Sequence, residues 1–184
     1  MYGLINSALQ DMIVANFGEE KWKEVHEHSG VPDDSFLTMR RYDDDITFKL
    51  AGSASEVLGA PIDDCMIMFG NFWVSDIATR NFGTLMEATG NDTVNFLHNL
   101  NSLHDRITST FLDYVPPEFK VEDVDVDQGI FNIHYHSERK GLTGFVTGLL
   151  EGLAKHFGDH HEIISMTVDE SGEGTHAVYQ IKVS

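Results

Sequence analysis

The feature that most constrains the fold is a change of pattern at Pro116-Pro117. Before the two prolines, apolar residues recur at helical spacing. After them, the segments FKVEDVDV and GIFNIHYHS alternate between apolar and polar residues, which is the period of a β-strand. A chain whose helices and strands are segregated in this way belongs to the α+β class.

Several segments of the first half carry helix signals, namely apolar stripes and closing glycine or proline residues. The predicted helices are 4–13, EEKWKEVHEH after Gly18, SASEVLGAP, 62–79 and 92–111.

The second half predicts two hairpins separated by a helix. The first hairpin turns at Asp127-Gln128-Gly129, and the strands EIISMTVDE and HAVYQIKV flank SGEG. Between the hairpins, apolar residues recur at helical spacing from Phe145 to Phe157. We therefore expect one domain over 1–184, in which a helical lobe (about 1–62) joins a second lobe (about 63–184). The second lobe has a β-β-α-β-β order and a four-stranded antiparallel sheet.

Composition excludes several classes of partner. The 12 basic and 30 acidic residues give a formal net charge of −18, which repels nucleic acids and anionic membranes but suits a basic protein partner. The single cysteine, Cys65, rules out an internal disulfide and fits a reducing compartment. No stretch resembles a signal peptide or a membrane span, so a cytoplasmic location is expected.

The segment YHSER sets a phenol, a hydroxyl and a guanidinium two residues apart. An extended backbone points Tyr135, Ser137 and Arg139 to the same side, where they could hold the anionic end of an amphipathic ligand. The alternative is an ordinary core strand whose arginine pairs with one of the 30 acidic side chains.

Histidines form two further candidate sites. His104 lies at the edge of an apolar helical stripe, where it is either a structural residue or a ligand for iron or zinc. His156, His160 and His161 in KHFGDHHE could bind zinc, but their spacing around Gly158 favours a polar surface turn.

Motifs for enzymatic catalysis are missing from the sequence. There is no G-x-S-x-G elbow, P-loop or dinucleotide-binding glycine pattern, and Cys65 lies among apolar residues that make a thiol inert. We therefore expect a binding protein rather than an enzyme; an enzyme with a metal at the His156, His160 and His161 turn is the alternative.

Five fragments in order along the chain carry a resemblance. They are MYGLINSALQDM, MFGNFW, LNSLHDRI, VPPEF and YHSER. Together they resemble the haem nitric oxide/oxygen-binding (H-NOX) family, which includes the haem domain of soluble guanylate cyclase and standalone bacterial sensors.

The resemblance implies that a ferrous haem b lies between the lobes. Tyr135, Ser137 and Arg139 would bind its propionates, His104 would be the proximal iron ligand, and Pro117 would press on the porphyrin. The residues implied to line the pocket are Ile5, Trp73, Leu100, Phe145 and Leu149.

The resemblance also implies the function of a haem-based gas sensor. Oxygen-binding members place a tyrosine where this chain has Phe145, which cannot donate a hydrogen bond. We therefore expect a nitric oxide sensor that signals by release of His104 and a shift of the lobes.

The expected partner is a separate histidine kinase or diguanylate cyclase, in two-component or cyclic-di-GMP signalling. The alternatives are an oxygen sensor with Trp73 as the donor, and a haem-free carrier of an amphipathic carboxylate.

Overall fold

The computed structural model describes residues 1–109 and 114–184. The helices are α1 (Gly3–Phe17), α2 (Glu19–Ser29), α3 (Asp44–Leu58), α4 (Ile62–Phe72), α5 (Thr79–Thr89), α6 (Thr93–Thr108) and α7 (Thr143–Phe157). The strands are β1 (Glu118–Asp125), β2 (Ile130–Ser137), β3 (His161–Asp169) and β4 (Thr175–Val183). A 3-10 turn at Asp33–Phe36 follows α2, and a π-helical segment at Trp73–Ala78 joins α4 to α5.

The four strands form one antiparallel sheet in the order β1-β2-β4-β3. This confirms the predicted α+β class, with the helical part first and the β-β-α-β-β part second. Alternation along β2 buries Phe131, Ile133 and Tyr135 on the inner face of the sheet. The inner face packs in the same apolar cluster as Val146 and Leu150 of α7, so that one helix covers the sheet.

The predicted helix over 62–79 is more complex than its sequence suggests. It is α4 followed by the π-helical segment, in which the backbone takes an extra residue into one turn. The helix then continues as α5 to Thr89, with a kink at Phe82. The predicted helix over 92–111 is α6, and residues 110 and 111 lie outside the described residues.

Helices α4 and α7 approach each other through glycines. A Cβ placed on Gly148 would lie 2.0 Å from the Ile67 carbonyl oxygen, and one on Gly70 would lie 2.1 Å from the Phe145 carbonyl oxygen. Only glycine permits backbones this close. The close crossing brings the N-terminal helices and the sheet-bearing part together at a fixed distance.

Two apolar clusters make up the core. One is built mainly from α1, α3 and α4 and contains Met12 and Leu50, and the other joins the sheet to α6 and α7 and contains Leu97 and Ile133. Helix α4 follows the lobe boundary expected at about residue 62, yet its Met66 and Phe69 belong to the first cluster. The two apolar clusters therefore do not divide the chain at that position. In the ranges 1–109 and 114–184, no helix combines the length and apolar character needed to cross a membrane.

Candidate functional site

A cavity of about 270 Å³ lies between the two apolar clusters. Its wall is almost entirely apolar and is built from α1, the π-helical segment, α6, α7 and the inner face of β2. All ten residues predicted for the site line this cavity: Ile5, Trp73, Leu100, His104, Pro117, Tyr135, Ser137, Arg139, Phe145 and Leu149.

His104 lies on α6, with its ring 6.2 Å from that of Phe119 and 6.3 Å from that of Tyr114. Its Nδ1 is buried and has no hydrogen-bond partner among residues 1–109 and 114–184. Burial lowers the pKa of His104, although the Pro117 backbone carbonyl and the Asp105 charge act in the opposite direction. The imidazole is therefore kept neutral, which is the form that can ligate a metal.

Tyr135 and Ser137 lie at the end of β2. Burial raises the pKa of the Tyr135 phenol, while a hydrogen bond with Ser137 and the charge of Arg139 oppose that effect. The Ser137 Oγ accepts a hydrogen bond from the Arg139 backbone N–H at 3.0 Å. The strand ends at Ser137, and this hydrogen bond turns the chain so that Arg139 still reaches the cavity.

Arg139 is paired with an acidic residue, as the alternative interpretation of YHSER anticipated. Its Nε donates to Asp44 Oδ2 at 2.7 Å, and its Nη1 donates to the Val115 carbonyl at 3.1 Å. Burial raises the pKa of Asp44, but hydrogen bonds and charges from the Met1 amino group and Arg139 outweigh it and lower the pKa overall. The guanidinium keeps further N–H donors besides these two.

Aromatic rings form the wall on the side of the N-terminal helices. The Phe145 ring lies 4.9 Å from that of Phe69 and 6.3 Å from that of Trp73, measured between centroids. Neither phenylalanine carries a polar atom, so Trp73 brings the only side-chain N–H among these three rings.

Three residues at the site were not found from the sequence. Tyr114 lines the cavity, and burial raises its pKa to about 12. Asp44 lies in the first turn of α3, and its contact with Arg139 joins residues 95 positions apart. Asn101 donates to the Phe119 carbonyl at 2.6 Å and accepts from the Phe119 N–H at 3.0 Å, which fixes α6 to β1. None of these contacts has a local sequence signal, because each joins segments that are distant along the chain.

The turn containing His156, His160 and His161 lies where helix α7 ends at the left-handed Gly158. Within the described ranges, a group of three potential metal ligands occurs elsewhere, at His134, His136 and His176.

A comparison with protein families decides what kind of domain this is. The model of the haem-NO-binding family matches residues 2–165. The chain belongs to the haem-NO-binding family. Members are haem-binding gas-sensor domains, so the chain is a sensor domain and not a catalytic one.

Two similar proteins of known sequence are soluble guanylate cyclases. The chain is 30% identical over 155 residues to soluble guanylate cyclase gcy-31 of Caenorhabditis elegans, covering 84% of this chain and 22% of the relative. It is 26% identical over 157 residues to soluble guanylate cyclase 89Db of Drosophila melanogaster, covering 85% and 23%. The chain therefore spans less than a quarter of the length of these relatives.

Solved structures share the whole fold. An H-NOX protein from S. oneidensis in the Fe(II) ligation state superposes with a TM-score of 0.86 at 23% identity, covering 100% of this chain and 96% of that one. An Fe(II) unliganded H-NOX mutant from K. algicida gives a TM-score of 0.83 at 22% identity, covering 100% and 97%.

The residues of the cavity fit a haem. The cavity offers a long apolar wall for a porphyrin face, a neutral imidazole with an unpartnered buried nitrogen, and hydroxyl and guanidinium groups at one end for anionic substituents. The individual roles of these residues stay predictions.

Proposed function

We propose that this domain senses nitric oxide through a haem b held in the cavity. His104 is the proximal ligand, Pro117 contacts the ring, and Tyr135, Ser137 and Arg139 bind the propionates. Haem would supply a ferrous iron that binds nitric oxide, and His104 is the residue whose attachment to the iron would change in response. The pocket lining is Ile5, Trp73, Leu100, Phe145 and Leu149.

The observation that carries the proposal is the environment of His104. A neutral imidazole has two ring nitrogens to satisfy, and the Pro117 carbonyl is the one backbone acceptor that acts on His104 while its buried Nδ1 makes no well-aligned hydrogen bond within residues 1–109 and 114–184. A metal bound to the ring would compensate for burying it in an apolar wall. An iron ligand gains a fixed ring orientation from such packing, here against Phe119 and Tyr114.

The polar end of the cavity supports an anionic ligand group. Arg139 is oriented by Asp44 and retains donors for a carboxylate, and the hydroxyls of Tyr135 and Tyr114 lie in the same wall. Asp44 acts here as a positioning residue that holds the guanidinium at the cavity.

Selectivity for nitric oxide follows from the aromatic wall. Dioxygen gains more than nitric oxide from a hydrogen-bond donor in the pocket, and Phe145 and Phe69 supply none. A second candidate, an oxygen sensor, draws support from Trp73, whose indole is 6.3 Å from the Phe145 ring and could donate after a rotation.

The output begins at α6. If His104 left the iron, α6 would lose its attachment on the cavity side, while Asn101 would keep it attached to β1 through both hydrogen bonds to Phe119. Motion of α6 would therefore pass to the sheet through β1. If the contact of Pro117 with the haem ring also changed, the two apolar clusters would shift relative to each other. The domain signals by this change of shape.

A separate signalling protein reads the change. A histidine kinase or a diguanylate cyclase is the proposed effector, and the net charge of −18 favours a basic docking surface on it.

Replacing His104 with glycine tests the ligand assignment. The variant should lose the axial bond and its ferrous absorption spectrum should change, because glycine has no donor, and added imidazole should restore the original spectrum. Leu100→Gly, one helical turn away on the same wall, is the matched control and should not respond to imidazole. A His104→Gly spectrum identical to wild type without imidazole would exclude this residue as the ligand.

A further inference from the structure

The outer face of the sheet carries histidines that the cavity does not use. His134 and His136 alternate along β2 with Ile133 and Tyr135, which are buried on the inner face, so the two imidazoles point away from the cavity. His176 on β4 is paired directly with His136 in the strand register. Three imidazoles from two adjacent strands therefore meet on one face.

The three rings are close and nearly parallel. The His136 and His176 rings are stacked with centroids 4.1 Å apart and planes 7° apart. The His134 ring lies 5.7 Å from that of His176, and His134 Nδ1 is 3.4 Å from His176 Nε2. One nitrogen from each ring lies within 4.8 Å of the other two.

These distances suit tetrahedral zinc. With Zn–N bonds of about 2.0–2.1 Å, two nitrogens on one tetrahedral ion are about 3.3 Å apart. The His134 and His176 pair is already at 3.4 Å. A nitrogen of the exposed His136 lies within 4.8 Å of a nitrogen of each, so that the His136 side chain would have to rotate toward the ion. Imidazole donors favour zinc and similar transition metals over Mg²⁺ or Ca²⁺.

A carboxylate also lies next to the cluster. The carboxylate Oε2 of Glu122 lies 3.3 Å from His134 Nε2, so an anionic group is available at the edge of the cluster.

We propose that His134, His136 and His176 bind one Zn²⁺ ion, with water in the fourth position and with Glu122 holding His134 through its Nε2, the nitrogen that does not face His176. The ion would bridge β2 and β4 on the reverse side of the strand that carries Tyr135 and Ser137. The site requires no haem and is independent of the proposed nitric oxide function.

Zinc titration of the haem-loaded protein tests the site. Wild type should bind one Zn²⁺ per chain in competition with a chromophoric chelator, and zinc K-edge absorption should show imidazole nitrogens at about 2.0 Å. His176→Gln and His136→Gln should each weaken zinc binding by more than about tenfold. Even removal of a residue that only hydrogen-bonds to a metal ligand typically lowers metal affinity by about 10–100-fold. His136 is exposed, so its variant keeps the sheet intact even if His176→Gln does not fold.

His160→Gln is the matched control, since it removes one exposed imidazole from the turn after α7. It should bind zinc as wild type does. The proposal is overturned if wild type takes up no zinc, if the His136 and His176 variants both retain wild-type affinity, or if His160→Gln loses as much affinity as they do.

Discussion

Phe145 is the residue on which the proposed gas selectivity depends. It lies at the centre of an aromatic group with Phe69 and Trp73 and presents a hydrocarbon ring to the cavity. A single oxygen atom added to this ring would introduce a hydroxyl donor where the phenylalanine has none.

Phe145→Tyr should stabilise dioxygen binding to the ferrous protein. One net hydrogen bond contributes about 1 kcal/mol, which is about fivefold in the equilibrium constant. Exposure of the reduced variant to air, followed by absorption spectroscopy, should show a longer-lived oxygen complex than in wild type. Phe145→Leu alters the packing without adding a donor, and an equal gain in that control would mean that the hydroxyl is not responsible.

Asp44 and Arg139 form the ion pair at the polar end of the cavity. Asp44 has a lowered pKa, so it binds protons more weakly in the folded than in the unfolded protein. The stabilisation it contributes is present above its ordinary pKa of 3.8 and is lost as the pH falls through the lower folded value.

Asp44→Asn should therefore make the free energy of unfolding depend less on pH in the acid range. The variant should be less stable than wild type at pH 7, and the difference should shrink as the pH falls below the ordinary pKa of 3.8. Urea unfolding across this pH range measures it. Asp45→Asn removes the same charge from the same turn of α3 but not the partner of Arg139, and a profile equal to that of Asp44→Asn would contradict the account.

At the scale of elements, the crossing of α4 and α7 fixes the shape of the cavity. Phe145 and Leu149 of α7 line the cavity, and Gly148 lies between them against the backbone of α4. The distance between these helices therefore determines how far the aromatic wall reaches into the cavity.

Gly148→Ala should destabilise the fold by about 1–3 kcal/mol, because the new Cβ would overlap the Ile67 carbonyl. Gly52→Ala is the control, since a Cβ at this position in α3 has no neighbour within 4 Å. It should stabilise the protein by about 0.5–1 kcal/mol through helix propensity. Thermal unfolding of both variants measures the difference, and a stabilising Gly148→Ala would show that the helices are not in close contact.

The sequence predicts the elements whose signals are local. Periodicity identifies the strand pairs on either side of α7, and the YHSER and LNSLHDRI fragments locate Arg139 and His104. Resemblance to a family was needed to join those two fragments into one site, since their spacing alone left other interpretations open.

Other features depend on contacts between distant segments. The hydrogen bond from Arg139 to Asp44 spans 95 residues, and the π-helical segment WVSDIA has no composition that distinguishes it from an α-helix. The glycine row of α7 could have been read as a close-packing face, because Gly144, Gly148 and Gly152 are spaced by four.

For the whole molecule, the cavity separates two apolar clusters that would otherwise form one core. The clusters meet directly at the crossing of α4 and α7 and face each other across the cavity elsewhere. A ligand that fills the cavity contacts both clusters. If its attachment to one cluster changes, the position of that cluster relative to the other changes too. The arrangement suits a sensor whose output is a shift of one part of the fold against the other.

The absorption spectrum of the reduced protein before and after nitric oxide shows whether a haem is held by His104 and responds to the gas. The account predicts a Soret band from haem bound through His104, and a change on adding nitric oxide to a spectrum of five-coordinate haem that has lost the histidine. A protein that takes up no haem, or a nitric oxide complex that stays six-coordinate with His104 attached, would contradict it.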